Sequence, residues 1–107
     1  MNDLYLVFCT FPNLESARQI GTILVNTQLA ACVNLCPQVE SIYRWQGEVE
    51  TAAEVLAIFK TTVAAWPRFE ARLTELHPYE TPEIVAQRAA EVNGCYADWV
   101  MANVKVP

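Results

Sequence analysis

No stretch of this 107-residue chain approaches 18 consecutive apolar residues, so nothing in it reads as a membrane-spanning helix. Cationic side chains are scarce. Five Arg and two Lys, scattered along the chain, face 12 Asp plus Glu, for a net charge of −5. A surface that tracks phosphates needs clustered Lys and Arg, which argues against nucleic acid as a partner. There is one histidine, His77, and Cys9, Cys32, Cys36 and Cys95 form no Cys-x-x-Cys pair, so a structural zinc finger is excluded by spacing. Charged residues make up only 18% against 53% hydrophobic ones, a balance that rules out disorder along nearly the whole length. The opening Met1-Asn2-Asp3 leads into a short apolar stretch with an acidic flank. It does not read as a signal peptide, and the expectation is a cytoplasmic protein with reduced thiols. The length suits one domain, residues 1–107, with a single core.

What is present is strongly patterned. Leu4 to Cys9 is a wholly apolar run rich in strand formers, closed by Thr10-Phe11-Pro12, and predicts a buried central strand. Asn13 is placed as an N-cap with Glu15 in the first turn, and Leu14, Ala17, Ile20, Leu24 and Gln28 recur at helical spacing. Ala31 to Cys36 predicts a second strand, interrupted at Pro37 by a bulge or edge and resumed from Val39 to Trp45. Gln46-Gly47 turns the chain into a hairpin whose returning arm runs from Glu48 to Lys60. Trp66-Pro67 opens a helix with Phe69, Leu73 and Leu76 inward, stopping before His77-Pro78. His77 to Glu83 is a stiff loop with two fixed φ angles, and Ile84-Val85-Ala86 is the last strand. Asn93 caps a terminal helix expected to carry Tyr96, Trp99 and Val100 inward. The order βαββαβ plus a helix predicts an α+β, ferredoxin-like antiparallel sheet, strands 4-1-3-2, with the crossover helices on one face. Cys9 and the His77–Glu83 loop then meet at one end of the sheet, while Cys32 and Lys60 belong to the other.

One chain is expected not to suffice. Cys32 to Trp45 would span roughly 43 Å if extended, whereas a compact domain of this length is about 34 Å across. The hairpin should project beyond its own core, carrying Tyr43 and Trp45 at its tip, large surfaces that seek burial. The later half of the returning arm, Ala53 to Phe59, is apolar on both faces apart from Glu54, so the sheet face without crossover helices calls for another subunit.

Leu29-Ala30-Ala31-Cys32-Val33-Asn34, Ile42 to Gly47, Phe59-Lys60-Thr61-Thr62 and, most specifically, Leu76-His77-Pro78-Tyr79-Glu80-Thr81-Pro82-Glu83-Ile84 closely resemble the CutA divalent-cation tolerance proteins, and Tyr96-Ala97-Asp98-Trp99 looks like their terminal helix. The resemblance spans essentially the whole chain. It implies a ferredoxin-like subunit in a homotrimer similar in architecture to the PII signalling proteins, a non-enzymatic role in tolerance to metal ions, and binding of copper or another divalent metal ion. The ligands it implies are a Cys at the end of the first strand, matched by Cys9, and two adjacent His before Pro-Tyr, of which His77 matches one. Leu76 stands at the other, so two ligands carry over and not three.

A thiolate and an imidazole suit copper by softness, with Glu80, Glu83 or a neighbouring subunit as sources of an oxygen ligand. The bland alternative is a buried thiol and a loop histidine holding its own backbone. Cys9 and His77 as a catalytic pair would need a depressed thiol pKa and an orienting partner for the histidine, and no partner is identifiable. Tyr79 and Thr81 are read first as shaping the loop and second as lining a pocket. Lys60, with Glu54 six residues earlier on the same strand face, is read as one half of an ion pair across a subunit boundary or as an anion site. Trp45 and Trp99 are read as interface residues. The alternative function is a PII-like sensor or adaptor taking a small anionic metabolite in intersubunit clefts.

Overall fold

The computed structural model describes residues 3–106. Its elements are β1 (Leu4–Phe11), α1 (Leu14–Asn26), β2 (Cys32–Trp45), β3 (Glu48–Thr62), α2 (Trp66–Leu76), β4 (Ile84–Arg88) and α3 (Gly94–Asn103). The strands form one sheet in the order β2-β3-β1-β4, every neighbouring pair antiparallel, which is the ferredoxin-like arrangement.

Strand alternation decides what each face of that sheet meets. Val7, Cys9 and Phe11 of β1 and Val55, Ala57 and Phe59 of β3 point one way, and they pack with Ala17, Ile20 and Leu24 of α1 and Phe69 and Leu73 of α2. The alternate residues Leu6, Phe8, Leu56 and Ile58 point the other way and are only half-buried. α3 lies over one end of this second face, where Ala97, Val100 and Val104 cluster with Leu4, Ala31 and Ala65. The expectation that Tyr96 and Trp99 point inward is corrected here. They are 40% and 46% exposed, because the docking stripe of α3 is made by Ala97 and Val100, one turn apart, and the two aromatics fall on its outer side.

Local chemistry sets the element ends. Asn13 accepts from the Ser16 N–H at 2.8 Å, and Asn93 accepts from the Tyr96 N–H at 3.1 Å. α1 stops at Asn26, two residues short of the expected Gln28. Gln28 takes a left-handed φ of 61°, and the Leu29 N–H turns back to the Leu24 carbonyl at 3.0 Å, closing the last turn. In α2 the proline falls in the first turn, where its missing N–H costs nothing.

The β2–β3 hairpin closes with Trp45 opposite Glu48, and Gln46 and Gly47 both have positive φ, 50° and 82°. That two-residue turn twists with the strands. Pairing slips between Cys36 and Val39, the irregularity expected around Pro37. The arm reaches well past the core: the molecule measures 43 × 25 × 22 Å with a radius of gyration of 14.3 Å, against about 13 Å for a compact domain of this length. The surface area tells the same story, at 6684 Å² where a compact monomer of this mass shows about 6,000 Å².

Candidate functional site

The site lies where β1 ends between β3 and β4. Cys9 pairs with Ala57 on one side and Ile84 on the other, fully buried on the helix-covered face. Burial pushes its thiol pKa up to about 12, with the nearby Glu83 and then Glu54 carboxylates adding to the rise. The group is therefore a neutral thiol, its Sγ lying 3.8 Å from the Thr10 carbonyl. A neutral, buried thiol is a poor nucleophile.

His77 follows α2 directly, and its backbone N–H closes the helix on the Leu73 carbonyl at 2.9 Å. Its ring stacks on Phe11 with centroids 4.7 Å apart. The Tyr79 N–H donates to Nδ1 at 3.0 Å, so the ring proton sits on Nε2, which donates to the Thr10 carbonyl at 2.8 Å. Burial holds the pKa of His77 below its ordinary value, against the opposing pull of the Thr10 bond and the Glu54 charge. Sγ of Cys9 and Nε2 of His77 thus share one acceptor, which brings the two sequence-predicted ligands into the same corner. Each already has structural employment there.

The opposite face presents something different. Tyr79 donates its hydroxyl to Oε2 of Glu54 at 2.6 Å, and burial, followed by that bond and the Glu54 charge, raises the phenol pKa. Around this pair opens a cleft of about 690 Å³. The hairpin forms one wall with Tyr43 and Trp45, and the loop before β4 forms the other with Tyr79, Thr81 and Glu83. Glu54 lies between them. Six of the sequence-predicted pocket or interface residues therefore meet at one place. Thr10 and Ser41 also line it and escaped the sequence reading; the alternation that buries Cys9 is the signal that turns Thr10 to this face.

Two predicted residues stand apart. Lys60 pairs with Cys32 at the far end of the sheet, and its Nζ donates to Oδ1 of Asn34. Glu54 and Lys60 make no ion pair within the chain: six residues of strand hold them about 20 Å apart, each with its own partner. Trp99 is on α3 against Tyr96, with ring centroids 5.7 Å apart.

A sheet of this order, a long projecting hairpin and a capped corner before β4 together define a class, and comparison with known proteins supplies the family. The family model described as CutA1 divalent ion tolerance protein matches residues 5–103. The divalent-cation tolerance protein CutA of Thermus thermophilus is 50% identical over 98 residues, covering 92% of this chain and 95% of that protein. Protein CutA of mouse is 41% identical over 93 residues, 87% of this chain and 52% of the relative, so the chain spans about half of that protein's length. The solved structure of the Thermus thermophilus divalent cation tolerance protein superposes with a TM-score of 0.92 at 48% identity, covering 95% of this chain and 99% of that one. The chain belongs to the CutA1 divalent ion tolerance family.

Proposed function

We propose that the protein acts in the cytoplasm as a homotrimer that binds copper or a related metal ion and so contributes to divalent-cation tolerance, without catalysing a reaction. The observation that carries the metal reading is the shared Thr10 carbonyl. With Sγ at 3.8 Å and Nε2 at 2.8 Å from one oxygen, the thiol and the imidazole lie within reach of a single two-coordinate Cu(I) after a small rearrangement. Binding would release the thiol proton and shift the imidazole proton from Nε2 to Nδ1, at the expense of the Tyr79 N–H bond. Those costs favour weak, exchangeable occupancy, which suits buffering better than a permanent cofactor.

Trimerisation is supported by the half-buried Leu6, Phe8, Leu56 and Ile58 stripe and by the exposed hairpin tip, surfaces that another copy would cover. An anionic metabolite is the poorer reading for the part of the cleft that one chain supplies, where two carboxylates and no cationic side chain are among the described lining residues. Titration with Cu(I), Cu(II) and Zn(II) under reducing conditions tests the metal assignment, on the wild type and on Cys9→Ser combined with His77→Gln. Stoichiometric Cu(I) binding that disappears in the double variant is the expected result. Equal binding by both proteins would remove these two side chains from the metal site. Sedimentation tests the assembly, and a stable monomer at micromolar protomer concentration would end the trimer reading.

A further inference from the structure

The end of the molecule remote from the hairpin holds an arrangement that the Cys9–His77 corner does not use. α3 is ten residues long, too short to persist as an isolated helix, so its form depends on docking. Its own grip is small: Ala97 and Val100 are its buried residues, while Tyr96 and Trp99 point outward. Near the helix start the Tyr96 hydroxyl meets Sγ of Cys32 at 3.3 Å, and a thiol is a weak hydrogen-bonding group. The stronger anchors come after the helix. Val104 leaves helical geometry, extended at φ −114° and ψ 130°, and is buried beside Leu4, Ala31 and Ala65. The Lys105 N–H then donates to the Gln28 carbonyl at 2.8 Å, and the Lys105 carbonyl accepts from Nη2 of Arg68 at 2.7 Å.

Gln28 follows α1 and Arg68 lies in the first turn of α2, so these two residues of tail carry the chain from the α3 side of the sheet to the helix-covered side. Both partners sit in unfavourable states that the contact helps to explain. Gln28 stays at a left-handed φ of 61°, a conformation that a residue with a side chain keeps only where its surroundings enforce it. Nε of Arg68 is buried with no hydrogen-bond partner among the described residues, a cost that the charged bond from Nη2 offsets. From these features we infer that Val104 and Lys105 form a strap that latches α3 to the body of the chain, and that α3 opens as a unit when the strap lets go while the four-stranded sheet stays folded. The core cluster under α1 and α2 contains, among the described residues, none from α3, so the two layers can separate.

The test is hydrogen–deuterium exchange of the full chain in its assembled state, read by mass spectrometry at equal protomer concentration, with the amides of α3 compared against those of β1 and β3. Arg68→Met keeps an apolar stem of similar length, removes the orphaned Nε and deletes the donor to Lys105. It should speed exchange in α3 about tenfold, the loss of one charged hydrogen bond, and leave β1 and β3 unchanged. Deleting residues 105–107 removes both bonds, leaves Val104 in its cluster and should speed α3 further. Arg72→Gln, whose partner Glu75 is on the same helix, should change nothing in α3. If Arg68→Met fails to fold, the truncated chain decides alone. The inference is overturned by unaltered α3 exchange in a folded variant, the result expected if a neighbouring copy and not the strap holds α3 down. Equal acceleration in α3 and the sheet would also overturn it, since the tail would then belong to the global core.

Discussion

His77 is a structural keystone of the corner it occupies, and removing it has a calculable cost. His77→Ala deletes the donor to the Thr10 carbonyl and the acceptor of the Tyr79 N–H, each a bond near ideal length. Two such bonds contribute about 2 kcal/mol together. The lost stacking on Phe11, with centroids 4.7 Å apart, adds about 1 kcal/mol, and the void left by a ring only 7% exposed adds about another. The expected destabilisation is about 4 kcal/mol, read by chemical denaturation at fixed protomer concentration. The same residue predicts a pH dependence. Its folded-state pKa lies below the ordinary 6.5, so just below that value the unfolded chain binds more protons than the folded one. Stability from this group is fully present above about pH 6.5 and is lost as the pH falls toward the lowered folded value. His77→Gln, which keeps an amide donor but cannot titrate, should show a flatter stability profile between pH 7 and pH 5 than the wild type. A cost for His77→Ala below about 1 kcal/mol, or parallel pH profiles for wild type and His77→Gln, would refute the reasoning.

Other substitutions probe separate parts of the fold. Phe69→Ala empties a fully buried site against Phe59, 5.1 Å away centroid to centroid, and should cost about 4 kcal/mol in denaturant unfolding. Asn13→Ala removes the acceptor for the Ser16 N–H and should cost about 1 kcal/mol in the same measurement. Gln28→Gly relieves a side chain held at a φ of 61° and should raise stability by about 0.5 kcal/mol, with unchanged circular dichroism. Tyr43→Ser with Trp45→Ser strips the hairpin tip without touching the core cluster, so sedimentation should show weakened self-association while the sheet signal is retained.

The strands and helices were legible because their signals are local. The apolar run from Leu4 to Cys9, the Asn13 and Asn93 caps, the Gln46-Gly47 turn and the Pro37 irregularity each correspond to an observed feature. The spacing of Gln28 continues the helical pattern, whereas the chain there leaves helical geometry to bring Leu29 and Ala30 back onto the Leu24 carbonyl. Tyr96 and Trp99 lie outside the docking stripe because on α3 the small Ala97 permits the close approach, a choice of face that a ten-residue helix with apolar residues on several sides does not reveal. The cleft was half legible. Its aromatic and acidic members stood out as types, but their meeting point depends on the hairpin register and on a loop path that no periodicity encodes. The bond from Tyr79 to Glu54, joining residues 25 apart, has no sequence signature at all.

The division of this end of the molecule into two chemically distinct environments follows from one strand's pleat. Cys9 and Thr10 are adjacent, so their side chains must leave β1 in opposite directions. Cys9 enters the core cluster, where low polarity keeps the thiol protonated and where the His77 ring packs on Phe11. Thr10 instead faces the cleft of Glu54 and Glu83. The Thr10 backbone carbonyl lies at the boundary, accepting from His77 on the core side, and His77 in turn accepts from the Tyr79 N–H while the Tyr79 hydroxyl reaches across to Glu54. A change in the His77 ring, whether by protonation or by a metal ion at Nε2, must therefore act on Tyr79 and through it on the carboxylate that floors the cleft. Two environments on opposite faces of one sheet are connected by three hydrogen bonds, so a rearrangement of the first bond is passed toward the carboxylate on the other face.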